Sequence, residues 1–144
     1  MSYNVDLQSQ LGANAAILGE HSAGMNQAGT RIWTWAWASW HTADTAPDGS
    51  ADIAALSHEI AEWFNDPFSS NMVPPWEAPP DYPCTNLLEV GDPVGDITFT
   101  QAGYHLQDEV FLSWFARQVP SIGIGGMYSY LGSVTAPPPV CGGG

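Results

Sequence analysis

The segment from Leu56 to Phe68, LSHEIAEWFNDPF, constrains the fold more than any other part of the chain. Apolar residues recur there at helical spacing, which predicts an amphipathic helix beginning at Ser50 or Asp52, either of which can cap it. The residue before a proline disfavours helical backbone angles, so Asn65-Asp66-Pro67 should end the helix after about Phe64. The predicted core face of this helix consists of Ile53, Leu56, Ile60, Trp63 and Phe64.

The side of the helix away from this apolar stripe carries an imidazole and a carboxylate. His58 and Glu62 are four residues apart, so they project from the same side. The neighbouring Ala51 and Ala55 are small and leave room above the helix. Asp66 would continue the row, but it lies about 12 Å from His58 at 1.5 Å per residue, and we expect it to brace the turn.

This segment resembles the HExxH helix of the zincin metallopeptidases, which supplies two zinc-binding histidines and a general base. The chain has HEIAE, so Glu62 stands where the second histidine would be. More narrowly, the pattern is similar to secreted proteins with a SHExxExxxDP helix, both bacterial ones and the plant phosphate-induced (Exordium-like) proteins. The matching stretches are Ser57 to Pro67, Pro75-Trp76, Cys84 to Pro93, Ile17 to Ala23 and Gly103 to Gln107.

The resemblance implies a zincin fold, a zinc cofactor and hydrolysis of a peptide or protein substrate. Carried over by position, His58 and Glu62 are metal ligands, and Glu59 is the catalytic general base. Two carboxylate ligands would, however, weaken the ion as a Lewis acid.

A catalytic zinc takes a third protein ligand, which the resemblance places in the E-x-x-D segment. Asp92 is the preferred candidate and Glu89 the other; the same two acids could instead hold calcium through their oxygens. Tyr104 or His105 is expected to stabilise the oxyanion of the reacting carbonyl, Tyr104 being the preferred catalytic residue.

Three of the seven tryptophans alternate along Arg31 to His41, RIWTWAWASWH, a pattern typical of a strand. Trp33, Trp35 and Trp37 therefore share one face. We expect them to line the substrate cleft together with Trp76, and an extended peptide to pair with this strand. The alternative is that the three rings are one face of a buried strand.

The other segments predict a small, mostly antiparallel sheet and a long loop. Residues 11–23 hold a short strand or helix, 67–84 a Pro-rich ordered loop or lid, 87–94 a strand, 97–99 and 104–107 a hairpin, and 110–119 a strand or short helix. The predicted fold is thus α+β and zincin-like, with the active-site helix packed on the sheet. We expect one domain over residues 1–135, complete or as the C-terminal part of a larger one, and a Pro/Gly-rich tail over 136–144.

The charge of the chain excludes several classes of partner. Fifteen acidic residues accompany two arginines and no lysine, giving a net charge of −13. Nucleic acids and anionic membrane surfaces are bound through Lys and Arg, so neither is expected as a partner. A metal cation suits this negative field, although such a charge also serves solubility alone.

The cysteines and the remaining histidines leave alternatives open. Cys84 and Cys141 form no CxxC zinc motif. They are either a disulfide joining the tail to the body, in an oxidising compartment, or two free thiols. His21 and His41 are interpreted as structural, because neither has a partner at a metal-ligand spacing.

The function expected from these features is zinc-dependent peptide hydrolysis outside the cell. The first alternative is a non-enzymatic secreted module with a degenerate or structural metal site, whose aromatic face binds a polysaccharide or a protein. The second is a self-assembling subunit, for which an aromatic strand without charges would serve as the edge.

Overall fold

The computed structural model describes residues 7–8, 16–40, 52–78, 82–95 and 97–141. Within these ranges the fold is α+β, as predicted, with one long helix and four separate two-stranded antiparallel sheets. No helix among these residues is long and apolar enough to cross a membrane. The elements are β1 (Leu7–Gln8), β2 (Ala16–Ile17), β3 (Gly19–Met25), β4 (Ile32–Ala38), α1 (Ala54–Asn65), β5 (Met72–Ala78), β6 (Tyr82–Leu87), β7 (Thr98–Gln101), β8 (Tyr104–Gln107) and α2 (Leu112–Phe115).

The β3–β4 hairpin confirms the strand predicted from the alternating tryptophans. Its register is continuous, from the pair Gly19 and Ala38 to the pair Met25 and Ile32. The turn is closed by the side-chain oxygen of Asn26, which accepts hydrogen bonds from the backbone N–H groups of residues 30 and 31. His41 lies outside the described residues.

Helix α1 has the predicted extent, but its two faces are the reverse of those predicted. Its buried residues are Ala54, Glu59, Ala61 and Glu62, whereas Ile60 and Phe64 are exposed. The small alanines allow α1 to pack closely on β3, β4 and β8, and the acidic groups go inward with them. The apolar stripe instead lines an open groove of about 410 Å³, bounded by Ile53, Leu56, Ser57, Ile60, Ala61, Phe64, Asn65, Leu106 and Glu109.

The two ends of α1 are held differently from each other. Ile53, not Asp52, occupies the N-cap position, and no side chain caps it. The predicted capping role of Asp52 is wrong, because its carboxylate accepts hydrogen bonds from the backbone N–H groups of Ile53 and His105 and pairs with the His105 ring at 2.9 Å. At the other end Asp66 is fully buried and accepts a hydrogen bond from the Asn71 backbone N–H at 2.7 Å, so it braces the turn.

The Pro-rich segment is a hairpin, and the prediction of a loop over 67–84 is wrong. Strands β5 and β6 pair with irregular register along Met72 to Ala78. Consecutive residues of a strand direct their backbone nitrogens to opposite sides, so one of Pro74 and Pro75 faces the partner strand without a hydrogen to donate. The register is irregular between Met72 and Trp76, as expected where a proline interrupts the pairing. The strand predicted over 87–94 is also wrong beyond Leu87, since Asp92–Val94 forms a 3₁₀ turn.

The hairpin predicted around 97–107 is confirmed as β7 and β8. The undecided segment 110–119 contains the short helix α2. Cys84 and Cys141 form a disulfide, with their Cα atoms 5.5 Å apart. The Arg117 guanidinium donates to the carbonyl oxygens of Pro75, Pro138 and Pro139, so the segment preceding Cys141 is fixed to β5.

The apolar core lies around Trp76 rather than around α1. Trp76 is completely buried, its indole N–H donates to the Leu87 carbonyl at 2.8 Å, and its ring packs edge-on against Trp114 and Phe115. The prediction that Trp76 lines a substrate cleft is therefore wrong. The core cluster comprises Ala61, Trp76, Leu88, Val90, Val94, Val110, Trp114, Phe115 and Tyr128.

The contrast between two tryptophans tests this assignment of the core. We expect Trp76→Ala to lower the free energy of unfolding by about 3–5 kcal/mol, because it empties the centre of the core. Trp33 is half exposed, so Trp33→Ala should cost about 1 kcal/mol or less. Urea unfolding followed by circular dichroism measures both; equal losses would contradict the assignment.

Candidate metal centre

Helix α1, strand β3 and one loop bring ionisable side chains together on the buried face of α1. Strand β3 contributes His21, and strand β8 adds the amide side chain of Gln107. The loop after β6 passes over the same face of the helix. The acids of the cluster, two from α1 and two from this loop, are Glu59, Glu62, Glu89 and Asp92.

The imidazole of His58 is directed at two of the predicted ligands. Its Nε2 atom lies 3.1 Å from Glu62 Oε2 and 3.3 Å from Asp92 Oδ1. On the other side of the ring, Gln107 Nε2 lies 2.8 Å from His58 Nδ1 and also donates to the Gly91 carbonyl at 2.8 Å. Gln107 therefore holds the ring with Nε2 facing the acids.

His21 occupies the middle of the cluster, although the sequence interpretation set it aside as structural. Its Nδ1 atom lies 3.3 Å from Glu59 Oε2 and 3.4 Å from Glu62 Oε2. Its Nε2 atom lies 3.7 Å from Glu89 Oε2. One feature of the sequence could have identified His21: on its face of the strand it lies between the small residues Gly19 and Ala23.

Two glycines make this packing sterically possible. A Cβ atom on Gly19 would lie 2.5 Å from Glu59 Cγ, and one on Gly91 would lie 2.4 Å from His58 Nδ1. The Gly91 backbone N–H also donates to Glu62 Oε1 at 3.1 Å. Backbone without a side chain is thus needed at both positions.

Burial and mutual contact shift the pKa values of the cluster in opposite directions. For His21, burial alone would lower the pKa, but hydrogen bonds to Glu59 and Glu62 and the charge of Glu89 raise it to about 10. For Glu62, burial alone would raise the pKa, yet hydrogen bonds from His21 and His58 lower it to about 2. Burial and the charge of Glu62 raise the pKa of Glu89 to about 8. At neutral pH His21 and Glu89 therefore retain protons on atoms that could bind a cation instead.

The residues present fit a divalent cation. Two sets of side chains, one of His58, Glu59 and Glu62 and one of His21, Glu62 and Glu89, place their ligand atoms within 4.8 Å of one another. Ligand atoms about 2.0–2.1 Å from a tetrahedral zinc lie about 3.3 Å apart, which matches the 3.1 Å between His58 Nε2 and Glu62 Oε2. In addition, His21 Nε2 and Glu89 Oε2 are buried without a hydrogen-bond partner among the residues that the structure describes.

Tyr104 is not part of this cluster, and its catalytic role stays a prediction. It is half exposed at the start of β8. Successive residues of a strand face opposite sides, so Tyr104, three residues before Gln107, points away from the side on which Gln107 meets His58. The ring of His105, the alternative, pairs with Asp52 instead.

The tryptophans of β4 also lie away from the cluster. His21 is paired with Ala36, and residues paired directly across two antiparallel strands share a face. Ala36 therefore faces α1, and Trp33, Trp35 and Trp37 project from the opposite side of the hairpin. The three rings therefore do not face α1, and their place in a substrate cleft stays a prediction.

Comparison with known proteins adds no relative: no family model, no curated protein and no solved structure matches this chain. The chemistry of the cluster is therefore inferred from its residues and distances.

Substitution of one glycine tests whether the steric fit serves metal binding. We expect Gly91→Ala to weaken zinc affinity by about 10- to 100-fold, because the new methyl group displaces the His58 ring, and support of a ligand is worth that much. Competition with a chromophoric chelator measures the affinity.

Gly95→Ala is the matched control in the same loop, since a Cβ there meets nothing closer than the Asp92 carbonyl at 3.7 Å. Its affinity should equal that of the unchanged protein. Equal affinities for both variants would show that the position of His58 does not determine metal binding.

Proposed function

We propose that this chain is an extracellular, zincin-like domain that binds zinc and hydrolyses peptide bonds. The observation that carries the proposal is the placement of His58, Glu59 and Glu62 together on one buried face of α1. The disulfide between Cys84 and Cys141 supports an extracellular location, because such bonds persist where the medium is oxidising.

His58 and Glu62 would hold the ion, with Asp92 and Glu89 within reach of the same cluster. When bound, zinc supplies Lewis acidity toward water and a substrate carbonyl. Gln107 fixes the His58 ring and the Gly91 N–H fixes the Glu62 carboxylate. Ligands held by such contacts are oriented before the ion arrives.

Glu59 is the proposed general base and acid. Burial raises its pKa, an effect that the hydrogen bond with His21 partly offsets. A carboxylate with a raised pKa accepts a proton from water more readily and can then donate it to the leaving amine. The contact at 3.3 Å between Glu59 Oε2 and His21 Nδ1 positions this carboxylate.

The apolar groove is not proposed as the substrate site. Its walls are mainly the apolar stripe of α1 with Leu106, and this stripe lies on the side of the helix opposite His58, Glu59 and Glu62.

A non-enzymatic secreted module is the second candidate. The outward position of the β4 tryptophans favours it, since a half-exposed Trp33 is suited to binding a polysaccharide or a protein. In this case the metal would stabilise the fold, and the carboxylate at Glu62 would leave the ion a weak Lewis acid.

The substitution Glu59→Gln separates the two candidates. We expect the zinc-loaded variant to lose at least about 100-fold in kcat on a fluorogenic peptide library, because a proton carrier is removed. Zinc content should be retained, as measured by mass spectrometry of the metal.

Glu20→Gln is the matched control, because Glu20 is an exposed acid on β3 beside His21 in sequence. It should hydrolyse peptides at the unchanged rate. Hydrolysis that survives Glu59→Gln, or zinc-loaded protein without any hydrolysis, would refute the enzymatic proposal.

A further inference from the structure

Glu62 belongs to both sets of potential ligands, and its side chain lies between two imidazoles. Its Oε2 atom is 3.1 Å from His58 Nε2 and 3.4 Å from His21 Nδ1. The two sets extend from it in different directions, one along α1 and one toward β3 and Glu89. Within the described residues, no set of mutually close ligand atoms contains both histidines, so one ion at His58 would not have His21 among its ligands.

The side of the cluster facing β3 has its own unsatisfied atoms. The His21 side chain is only 5% exposed, and in the described part of the chain its Nε2 atom has no hydrogen-bond partner. Glu89 Oε2 is likewise buried without one, and the two atoms face each other at 3.7 Å. Buried polar atoms without partners are costly, and a cation between a ring nitrogen and a carboxylate would satisfy both.

The balance of charges within the cluster also indicates a second cation. Four carboxylates share this partly buried space, and their ion pairs are made with two imidazoles. The chain has no lysine; Arg117 is bound to backbone carbonyls and Arg31 is exposed beside the β3–β4 turn. Binding of metal displaces the protons of both imidazoles and of Glu89. The four carboxylates then carry four negative charges, which two divalent ions would balance and one would not.

We propose that the centre holds two divalent cations bridged by Glu62, one bound to His58 and the other to His21 and Glu89. The inference rests on the proposed zinc chemistry at His58 and extends it. His21 thus supplies, from β3, the second imidazole that HEIAE lacks. Pairs of ions about 3.5–4 Å apart are a recurring arrangement in hydrolases, and the contact from His21 Nδ1 to Glu59 would orient the ring as a ligand.

Metal stoichiometry tests the pair directly. The full chain is loaded with zinc, dialysed and measured by mass spectrometry; we expect two zinc ions per chain. Glu89→Gln keeps the shape of the side chain and should retain one, as should His21→Gln. The control Glu20→Gln should retain two. One ion in the unchanged protein, or two ions in both site variants, would overturn the proposal.

Replacement of zinc by Mn²⁺ gives a second readout that does not depend on activity. Two bridged manganese ions are expected to give an exchange-coupled electron paramagnetic resonance spectrum, and Glu89→Gln the six-line spectrum of an isolated ion. An uncoupled spectrum in the unchanged protein would refute the bridge.

These outcomes separate the pair from the hydrolase proposal. Two ions without hydrolysis would uphold the pair and refute the enzyme, whereas one ion with hydrolysis would do the reverse. Protein that binds no ion would refute both.

Discussion

The structure is organised around one buried carboxylate, that of Glu62. A buried charge is costly unless it is compensated, and Glu62 receives its compensation from three separate parts of the chain: His58 on its own helix, His21 on β3 and the Gly91 N–H in the loop after β6. The close approach of α1 to the β3–β4 hairpin follows from this requirement, as does the course of the loop.

The apolar core serves the cluster by positioning that loop. Leu88 and Val90 are buried in the core around Trp76, so Glu89 between them projects to the other side, where His21 lies. Val94 is anchored in the same core, and the 3₁₀ turn that it ends, Asp92–Val94, carries Asp92 toward His58. Small residues complete the fit, because Gly19 and Gly91 leave the space that Glu59 and the His58 ring occupy.

Local spacing was enough to predict part of this arrangement. A spacing of four residues on a helix places His58 and Glu62 on one side, and Asp92, expected from the E-x-x-D segment as a further ligand, lies 3.3 Å from His58. His21 could not be found in this way, since its partners are 38 residues or more away in sequence. The strand of tryptophans was predicted correctly, but which of its faces meets α1 depends on pairing with β3, which alternation alone does not determine. Helical spacing likewise does not determine which face of α1 meets the strands, so the apolar stripe of α1 was wrongly assigned to the core.

The most direct test is a crystal structure of the zinc-loaded protein with diffraction data collected at the zinc absorption edge. We expect an anomalous peak about 2.0–2.1 Å from His58 Nε2 and in contact with the Glu62 carboxylate. An ordered structure in saturating zinc without a peak at the cluster, with His58 and His21 still hydrogen-bonded to the acids, would contradict the central claim that these residues are a metal centre.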